Sequence, residues 1–305
     1  MTAPAGSALA STALGVAPPP AGGIDFTLPG DGVRLGATRW PGDGAPIVLM
    51  HGLASQRRFW NLVVPHLRGL PLIAVDLRGH GDSDRPAQGY ELTTVASDIG
   101  TAMDALGWSR AVVVGHSWGG SVAATFAAEH PERALAMLAI DGGFLSLGTT
   151  GQDRAALRGR LEPPRWALPP DELVKLLSGH GPAGRWTPEL AAAVLPIFEV
   201  GADGLARARL PFETHMAIVD TLLDYQAEVV LAQVRCPAWL VSCEALGGAD
   251  DFAAARAAAL ERLPHTMANP RILRWGGAVH DVPLQWPALV AGLIRAAAED
   301  AAAPA

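Results

Sequence analysis

The chain has 305 residues, enough for one large domain or for a domain with an inserted lobe. Half of the residues are hydrophobic and 17% are charged, which excludes a wholly disordered chain. The 30 acidic and 23 basic residues give a net charge of −7, which disfavours binding to nucleic acid through a basic face. Lys175 is the only lysine, so lysine-based chemistry has a single candidate.

The first 23 residues differ in composition from the rest. Residues 1–23 are rich in Ala, Pro, Gly and Ser, which predicts a flexible tail. No Lys or Arg precedes Arg34, so the segment lacks the positively charged start of a secretory signal. The apolar runs of the chain are shorter than the ~18–20 residues that span a membrane. We therefore expect a cytoplasmic protein without a membrane span, with an unusual export signal as the alternative.

The two cysteines form neither a disulfide nor a metal motif by their spacing. Cys236 and Cys243 lie at the ends of one short apolar run. If this run is a strand, a rise of about 3.3 Å per residue separates their Cα atoms by roughly 20 Å. No dinucleotide-binding glycine motif follows an early strand, and Lys175 belongs to no phosphate loop. We expect no metal and no cofactor.

The elements predicted in chain order alternate between strand and helix. A hairpin of Phe26–Pro29 and Val33–Trp40 comes first. Short apolar runs then predict buried parallel strands: Ile47–Met50, Pro71–Leu77, Ala111–Val114, Ala134–Ile140, Ala238–Cys243 and Arg271–Trp275. Helical patterns lie between or after them: Arg58–Leu67, Leu92–Leu106, Ser121–Glu129, Phe252–Leu263 and Pro287–Ala298. The order predicts a mostly parallel central sheet covered by helices on both faces.

One segment interrupts this alternation. Residues 144–228 show no convincing strand and contain Pro-rich turns with helical stretches such as Asp171–Leu177 and His215–Tyr225. We expect a helical lobe inserted into an α/β core formed by residues 24–143 and 229–305. The lobe is expected to cover a pocket, with Trp166, His215 and Met216 as candidate lining residues.

The sharpest chemical signal is Gly115-His116-Ser117-Trp118-Gly119, a G-x-S-x-G pattern between a predicted strand and a predicted helix. This context is typical of a nucleophile elbow, in which a strained turn exposes the serine and small neighbours let the chain pass closely. Ser117 is therefore the predicted nucleophile. His116, inside the elbow, is expected only to pack or bond locally.

A serine nucleophile needs a base, which follows both the serine and the acid in the chain order of this arrangement. Two late histidines, His265 and His280, are candidates. His265 lies in a predicted connector before a strand. His280 follows the last predicted strand, at the carboxyl edge of the sheet, and we favour it as the base.

Several segments carry a resemblance to a known family: His51-Gly52-Leu53, Asp76 to Ser83, Gly115 to Gly120, Asp141-Gly142-Gly143 and His280 to Pro283. They resemble the α/β-hydrolase fold superfamily, in particular small bacterial serine hydrolases with a helical cap. The resemblance implies the α/β-hydrolase fold, Ser117 as nucleophile and His280 as base. It also implies an oxyanion hole formed by the backbone N–H groups of Leu53 and Trp118.

The acidic partner of His280 departs from the commonest family pattern. Relatives usually place an Asp shortly after the strand predicted at Ala238–Cys243, where this chain has Leu246. Glu244 lies close to the strand end, and Asp250 and Asp251 lie far out. Because some relatives use an acid after the preceding strand, we favour Asp141, with Glu244 as the alternative.

The expected activity is hydrolysis of an ester, thioester or related acyl bond in a small molecule. A serine at the elbow disfavours haloalkane dehalogenases and epoxide hydrolases, which need a carboxylate there. The same residues also suit a cofactor-free perhydrolase or haloperoxidase, a C–C bond hydrolase or acyl transfer. A non-catalytic ligand-binding protein on the same fold is the alternative from another class. The sequence does not define the oligomeric state.

Overall fold

A computed structural model describes residues 19–179, 185–246 and 252–302. Eight of its strands form one sheet in the order β1-β2-β4-β3-β5-β6-β9-β10. Their bounds are Ile24–Pro29 (β1), Arg34–Trp40 (β2), Ile47–Met50 (β3), Leu72–Val75 (β4), Ala111–His116 (β5), Ala134–Ile140 (β6), Ala238–Glu244 (β9) and Pro270–Gly276 (β10). The pairs β1–β2 and β2–β4 are antiparallel and the others parallel, which confirms the predicted sheet.

Helices cover the sheet on both faces because successive strand residues point to opposite sides. In β5, Val113 packs into one core and Val112 and Val114 pack into the other. The helices are Leu92–Ala105 (α1), Trp118–Glu129 (α2), Arg154–Arg160 (α3), Pro170–Ser178 (α4), Pro188–Val194 (α5), Phe212–Asp224 (α6), Ala227–Leu231 (α7), Ala253–Thr266 (α8), Val282–Gln285 (α9) and Pro287–Ala302 (α10). Helices α1, α2, α7 and α8 bury side chains in the first core, and α10 in the second.

The segment 144–228 contains a small sheet that its sequence pattern did not predict. Phe198–Val200 (β7) pairs antiparallel with Ala206–Ala208 (β8), so the prediction that this segment lacks strands was wrong. Strands of three residues are too short for an alternating pattern to be recognised. The division into an α/β core and an inserted lobe stays a prediction, and its boundary at residue 228 falls inside α7.

Two other local predictions were wrong. The segment predicted as one helix over Arg58–Leu67 forms two short 3-10 helices, Arg57–Leu62 and Val64–His66. Pro65 lacks the backbone N–H that a continuous helix would use. His265 lies inside α8 rather than in a connector.

The described part of the predicted tail is short. Residues 1–18 of the predicted tail lie outside the described residues, and the remainder forms a turn in which Gly23 N–H donates to Pro20 O over 2.9 Å. In the ranges that the structure describes, no helix is long and apolar enough to cross a membrane.

Candidate active site

The turn between β5 and α2 holds Ser117 in a strained conformation. Its φ of 55° and ψ of −120° place a non-glycine residue in a sparsely populated region, at a cost of about 1–3 kcal/mol. The Ser117 N–H donates to Ile140 O on β6 over 2.9 Å, and this bond helps to hold the turn. The partly buried serine side chain is thus held between a strand end and a helix start.

The glycines of the motif are required by close backbone contacts. A Cβ added at Gly115 would lie 1.9 Å from Gly119 O, and one at Gly119 would lie 2.5 Å from His51 O. Both distances are far shorter than atoms allow, and the neighbouring atoms are backbone. The G-x-S-x-G spacing therefore belongs to a turn that leaves no room for a side chain at Gly115 or Gly119.

Ser117, His280 and Asp141 are linked by hydrogen bonds. His280 Nε2 lies 3.0 Å from Ser117 Oγ, and His280 Nδ1 lies 2.6 Å from Asp141 Oδ2. His280 follows β10 and Asp141 follows β6, so three strand ends meet here. The structure brings together the nucleophile, base and acid that the sequence predicts, and their catalytic roles stay predictions.

The Asp141 carboxylate is fixed by the neighbouring strand β9. Asp141 adopts a positive φ of 47°, and its N–H donates to Val241 O over 2.7 Å. Its Oδ1 accepts the Cys243 N–H over 2.9 Å, which leaves Oδ2 for His280. With a side chain only 5% exposed, the carboxylate has one defined orientation.

The charges of this pair reinforce each other. Burial alone would raise the pKa of the Asp141 carboxyl, but the hydrogen bond and charge of His280 outweigh it and hold that pKa below its ordinary value. Burial would likewise lower the pKa of His280, but the hydrogen bond and charge of Asp141 raise it above its ordinary value. Asp141 is therefore ionised and favours the imidazolium that forms when His280 accepts a proton.

Glu244, the alternative acid, has a different partner. Glu244 ends β9, and its carboxylate pairs with Arg274 over 2.5 Å at the exposed edge of the sheet. Leu246 is 84% exposed, and the candidates Asp250 and Asp251 lie outside the described residues. The structure therefore places Asp141, rather than Glu244, against His280.

His116 contacts the loop that carries His280. Its Nε2–H donates to the His280 carbonyl over 2.8 Å, and the two rings lie 4.8 Å apart. The other face of His116 stacks on Phe59 at 4.7 Å. Burial and the neighbouring His280 lower the pKa of His116 to about 4, so the ring stays neutral near pH 7. Sequence reasoning treated this residue as locally packed and missed its bond to a residue far along the chain.

The residues expected to form the oxyanion hole border the same cavity as Ser117. Trp118 is the first residue of α2, so its N–H has no carbonyl partner within the helix. Leu53 is followed by Ala54, whose N–H donates to His80 Nε2 over 3.3 Å. His80 must be neutral to accept this bond, and burial lowers its pKa to about 3.

The loop that carries Leu53 is anchored by a buried ion pair. Arg57 N–H donates to Asp76 Oδ1 over 2.6 Å, and its guanidinium pairs with the other carboxylate oxygen. The guanidinium also pairs with Asp82 over 2.8 Å, and Asp82 pairs with Arg209 of segment 144–228 over 2.9 Å. One polar network thus joins the end of β4, the Leu53 loop and the predicted lobe.

A cavity of about 360 Å³ opens beside Ser117. Besides Ser117, Asp141 and His280, much of its lining is apolar: Phe144, Leu145, Leu147, Leu161, Leu222 and Phe252. His280, whose side chain is 56% exposed, borders this space. The size and lining suit a small molecule with an apolar portion.

Of the three predicted pocket residues, His215 borders the cavity and two do not. His215 lies in α6, and its Nε2–H donates to Leu161 O over 3.0 Å. Met216 is buried with Leu157 and Val219, since the next residue on a helix is rotated by about 100°. Trp166 packs beside Phe198 with ring centres 6.2 Å apart.

Most of the lining had not been predicted, including three residues on or next to α2 and α8. Ser121 of α2, Phe252 and Arg256 of α8 all border the cavity. The Arg256 guanidinium donates to Cys243 O over 2.7 Å. The position of Ser121, one turn after the elbow serine, is the single signal by which sequence reasoning could have found one of them. Among the described residues, no three His, Cys, Asp or Glu side chains are grouped to hold a metal ion.

Comparison with known proteins agrees with this architecture. Residues 45–182 match the model of a family described as alpha/beta hydrolase fold. A soluble epoxide hydrolase of Corynebacterium sp. strain C12 is 39% identical over 101 residues, 33% of this chain and 35% of that protein. A serine hydrolase-like protein of Danio rerio is 33% identical over 131 residues, 41% of this chain and 40% of that protein.

A solved structure covers more of the chain. The crystal structure of E-2-(acetamidomethylene)succinate hydrolase superposes with a TM-score of 0.73 at 24% identity, over 91% of this chain and 99% of that chain. The sheet, the strand-to-helix turn and these matches define the α/β-hydrolase fold. At the level of sequence, the match to that family's model covers residues 45–182, less than half of the chain. The match to the first curated relatives spans only about a third of their length.

Proposed function

We propose that the protein is a serine hydrolase that cleaves an ester or a related acyl bond in a small molecule through an acyl-enzyme intermediate. The observation that supports this most is the hydrogen-bond chain from Ser117 Oγ through His280 to Asp141, at 3.0 Å and 2.6 Å. In this arrangement a base accepts the serine proton and an acid orients the base.

In the first half of the proposed reaction, Ser117 Oγ attacks the acyl carbon while His280 Nε2 takes the hydroxyl proton. The carbonyl oxygen becomes negative and accepts hydrogen bonds from the N–H groups of Leu53 and Trp118, which are worth about 10²–10³ in rate for each donor. The bond to the leaving group then breaks, and His280 gives its proton to the departing oxygen.

In the second half, water attacks the acyl carbon of the ester on Ser117. His280 takes a proton from the water as the new C–O bond forms. The bond to Ser117 Oγ then breaks and the serine recovers a proton from His280, which releases the carboxylic acid and restores the starting state. Asp141 stays ionised and stabilises His280 in its charged form.

The nature of the nucleophile argues against transferring the activity named for the epoxide hydrolase relatives. A carboxylate nucleophile that opens an epoxide forms an ester, which water can cleave. A serine hydroxyl would form an ether, which water does not cleave under such conditions. Ser117 at the elbow therefore favours acyl chemistry, in which the intermediate is a hydrolysable ester.

Labelling with a fluorophosphonate and hydrolysis of p-nitrophenyl esters test the proposal together. The wild-type protein is expected to form a covalent adduct on Ser117 and to release p-nitrophenol with turnover. Ser117→Ala is expected to lose both the adduct and the turnover. Its temperature of thermal unfolding is expected to equal that of the wild type. A wild-type protein that neither forms an adduct nor turns over any activated ester would refute the proposal and favour a non-catalytic ligand-binding role.

A further inference from the structure

One polar side chain beside the cavity, that of Ser121, carries a hydroxyl that the proposed mechanism does not use. Ser121 is 3% exposed and borders the cavity. Within the described part of the chain, its hydroxyl forms no hydrogen bond. By contrast, His215 bonds to Leu161 O and Arg256 bonds to Cys243 O.

The position of Ser121 is fixed relative to the nucleophile. Ser121 lies in the first turn of α2, four residues after Ser117 and three after Trp118, the first residue of the helix. The backbone of Gly143 passes beside it, since a Cβ added there would lie 3.2 Å from Ser121 N and 2.5 Å from Gly120 O. The helix and a glycine backbone therefore form this part of the wall without a bulky side chain.

A buried hydroxyl beside apolar side chains is unfavourable unless it has a hydrogen-bond partner, and Ser121 is 3% exposed. Here much of the lining is apolar, and the polar side chains of His215 and Arg256 bond elsewhere. A substrate oxygen next to the Ser121 hydroxyl would supply the hydrogen-bond partner. A hydrocarbon chain at the same place would leave the hydroxyl without one. Such a site discriminates between an oxygen-bearing chain and its hydrocarbon analogue.

We propose that Ser121 determines specificity by hydrogen-bonding to a ketone, ether or hydroxyl oxygen of the substrate, carried on an apolar chain that extends from the reacting acyl group past the start of α2. This inference rests on the proposed serine hydrolase function. The preferred substrates are then esters with one oxygen on a short apolar chain, rather than esters of unsubstituted alkyl chains.

Two pairs of esters test this inference and show which side of the ester bond carries the oxygen. The acyl pair is p-nitrophenyl levulinate, which has a ketone on its fourth carbon, and p-nitrophenyl pentanoate, which lacks it. The alcohol pair is methoxybutyl acetate and hexyl acetate. The measured quantity is the ratio of kcat/KM for the oxygen-bearing ester to that for its analogue, in the wild type and in Ser121→Ala.

The expected result is a ratio that falls by about twofold to tenfold in Ser121→Ala for one of the two pairs. Thr125→Val is the matched control, because Thr125 is buried one turn further along α2 and does not border the cavity. Its ratios are expected to equal those of the wild type.

Ratios in Ser121→Ala that equal those of the wild type for both pairs would overturn the inference while the hydrolase function stands. A fall of the same size in Thr125→Val would overturn it as well, because the effect would then not depend on the cavity. Absence of wild-type turnover on all four esters, together with absence of fluorophosphonate labelling, would overturn both proposals.

Discussion

Replacing Asp141 by Asn tests the proposed acid more sharply than its removal, because the structure dictates how the amide will be oriented. Asp141 Oδ1 accepts the Cys243 N–H over 2.9 Å, so the amide oxygen is expected to keep that position. The NH₂ group then faces His280 Nδ1, which must accept rather than donate. His280 is forced into the tautomer with its proton on Nε2, which cannot take the proton of Ser117.

The magnitude follows from this wrong tautomer. In serine triads such a change costs about 10⁴ in kcat, and we expect kcat/KM of Asp141→Asn to fall by about 10³–10⁴. At about 1.4 kcal/mol for each factor of ten, this is a loss of about 4–5.5 kcal/mol of transition-state stabilisation. The buried position of Asp141, with 5% of its side chain exposed, leaves little solvent to replace the lost charge.

The pH profile gives a second readout of the same pair. The charge of Asp141 raises the pKa of His280, and only neutral His280 can accept a proton. The acidic limb of wild-type kcat/KM is therefore expected above the ordinary histidine pKa of about 6.5. Without the negative charge the pKa of His280 falls, so the residual activity of Asp141→Asn should persist to lower pH.

The assay is hydrolysis of p-nitrophenyl pentanoate from about pH 5 to pH 9, with thermal unfolding followed by circular dichroism. Glu244→Gln is the matched control, since Glu244 pairs with Arg274 at an exposed edge and should keep kcat/KM within about twofold. If Asp141→Asn retained more than a tenth of the activity while Glu244→Gln lost it, the assignment of Asp141 would be refuted.

Two further predictions concern side chains that position the site. His116→Phe removes the donor to the His280 carbonyl, and we expect kcat to fall at least about tenfold with partial recovery in His116→Gln; equal kcat in all three proteins would contradict this role. Asp76→Asn leaves the Arg57 guanidinium buried beside a neutral side chain, and urea unfolding should show a loss of about 3 kcal/mol. A loss below about 1 kcal/mol would show that the remaining carboxylates around Arg57 compensate.

The sequence predicted the parts of the site that depend on local pattern. Ser117 is recognisable because its glycines and its strand-to-helix context lie within a few residues. His280 is recognisable because it follows the last strand of an alternating fold. His116 gives no comparable signal, since the carbonyl that it binds belongs to a loop that folding alone brings near.

The pocket could not be predicted in the same way, because lining residues depend on the rotation and packing of each helix. His215 and Met216 are neighbours in α6, yet one borders the cavity and the other packs into a separate cluster. Trp166 packs beside Phe198, the first residue of a strand pair that the pattern did not reveal. A bulky apolar residue in the predicted lobe can thus either pack inside the lobe or line the cavity, and the sequence pattern is the same in both cases.

The ambiguity over the acid has a physical origin in the order of the strands. Because β6 and β9 are neighbours in the parallel sheet, with Ile140 level with Val241, the loops that follow them end at the same edge. A carboxylate from either loop could approach the histidine after β10. In this chain the carboxylate that bonds to His280 comes from the end of β6 and is anchored by the Cys243 N–H of β9, so β9 supplies the hydrogen bond and β6 supplies the charge. The position where relatives carry an acid can then hold Leu246, which is 84% exposed.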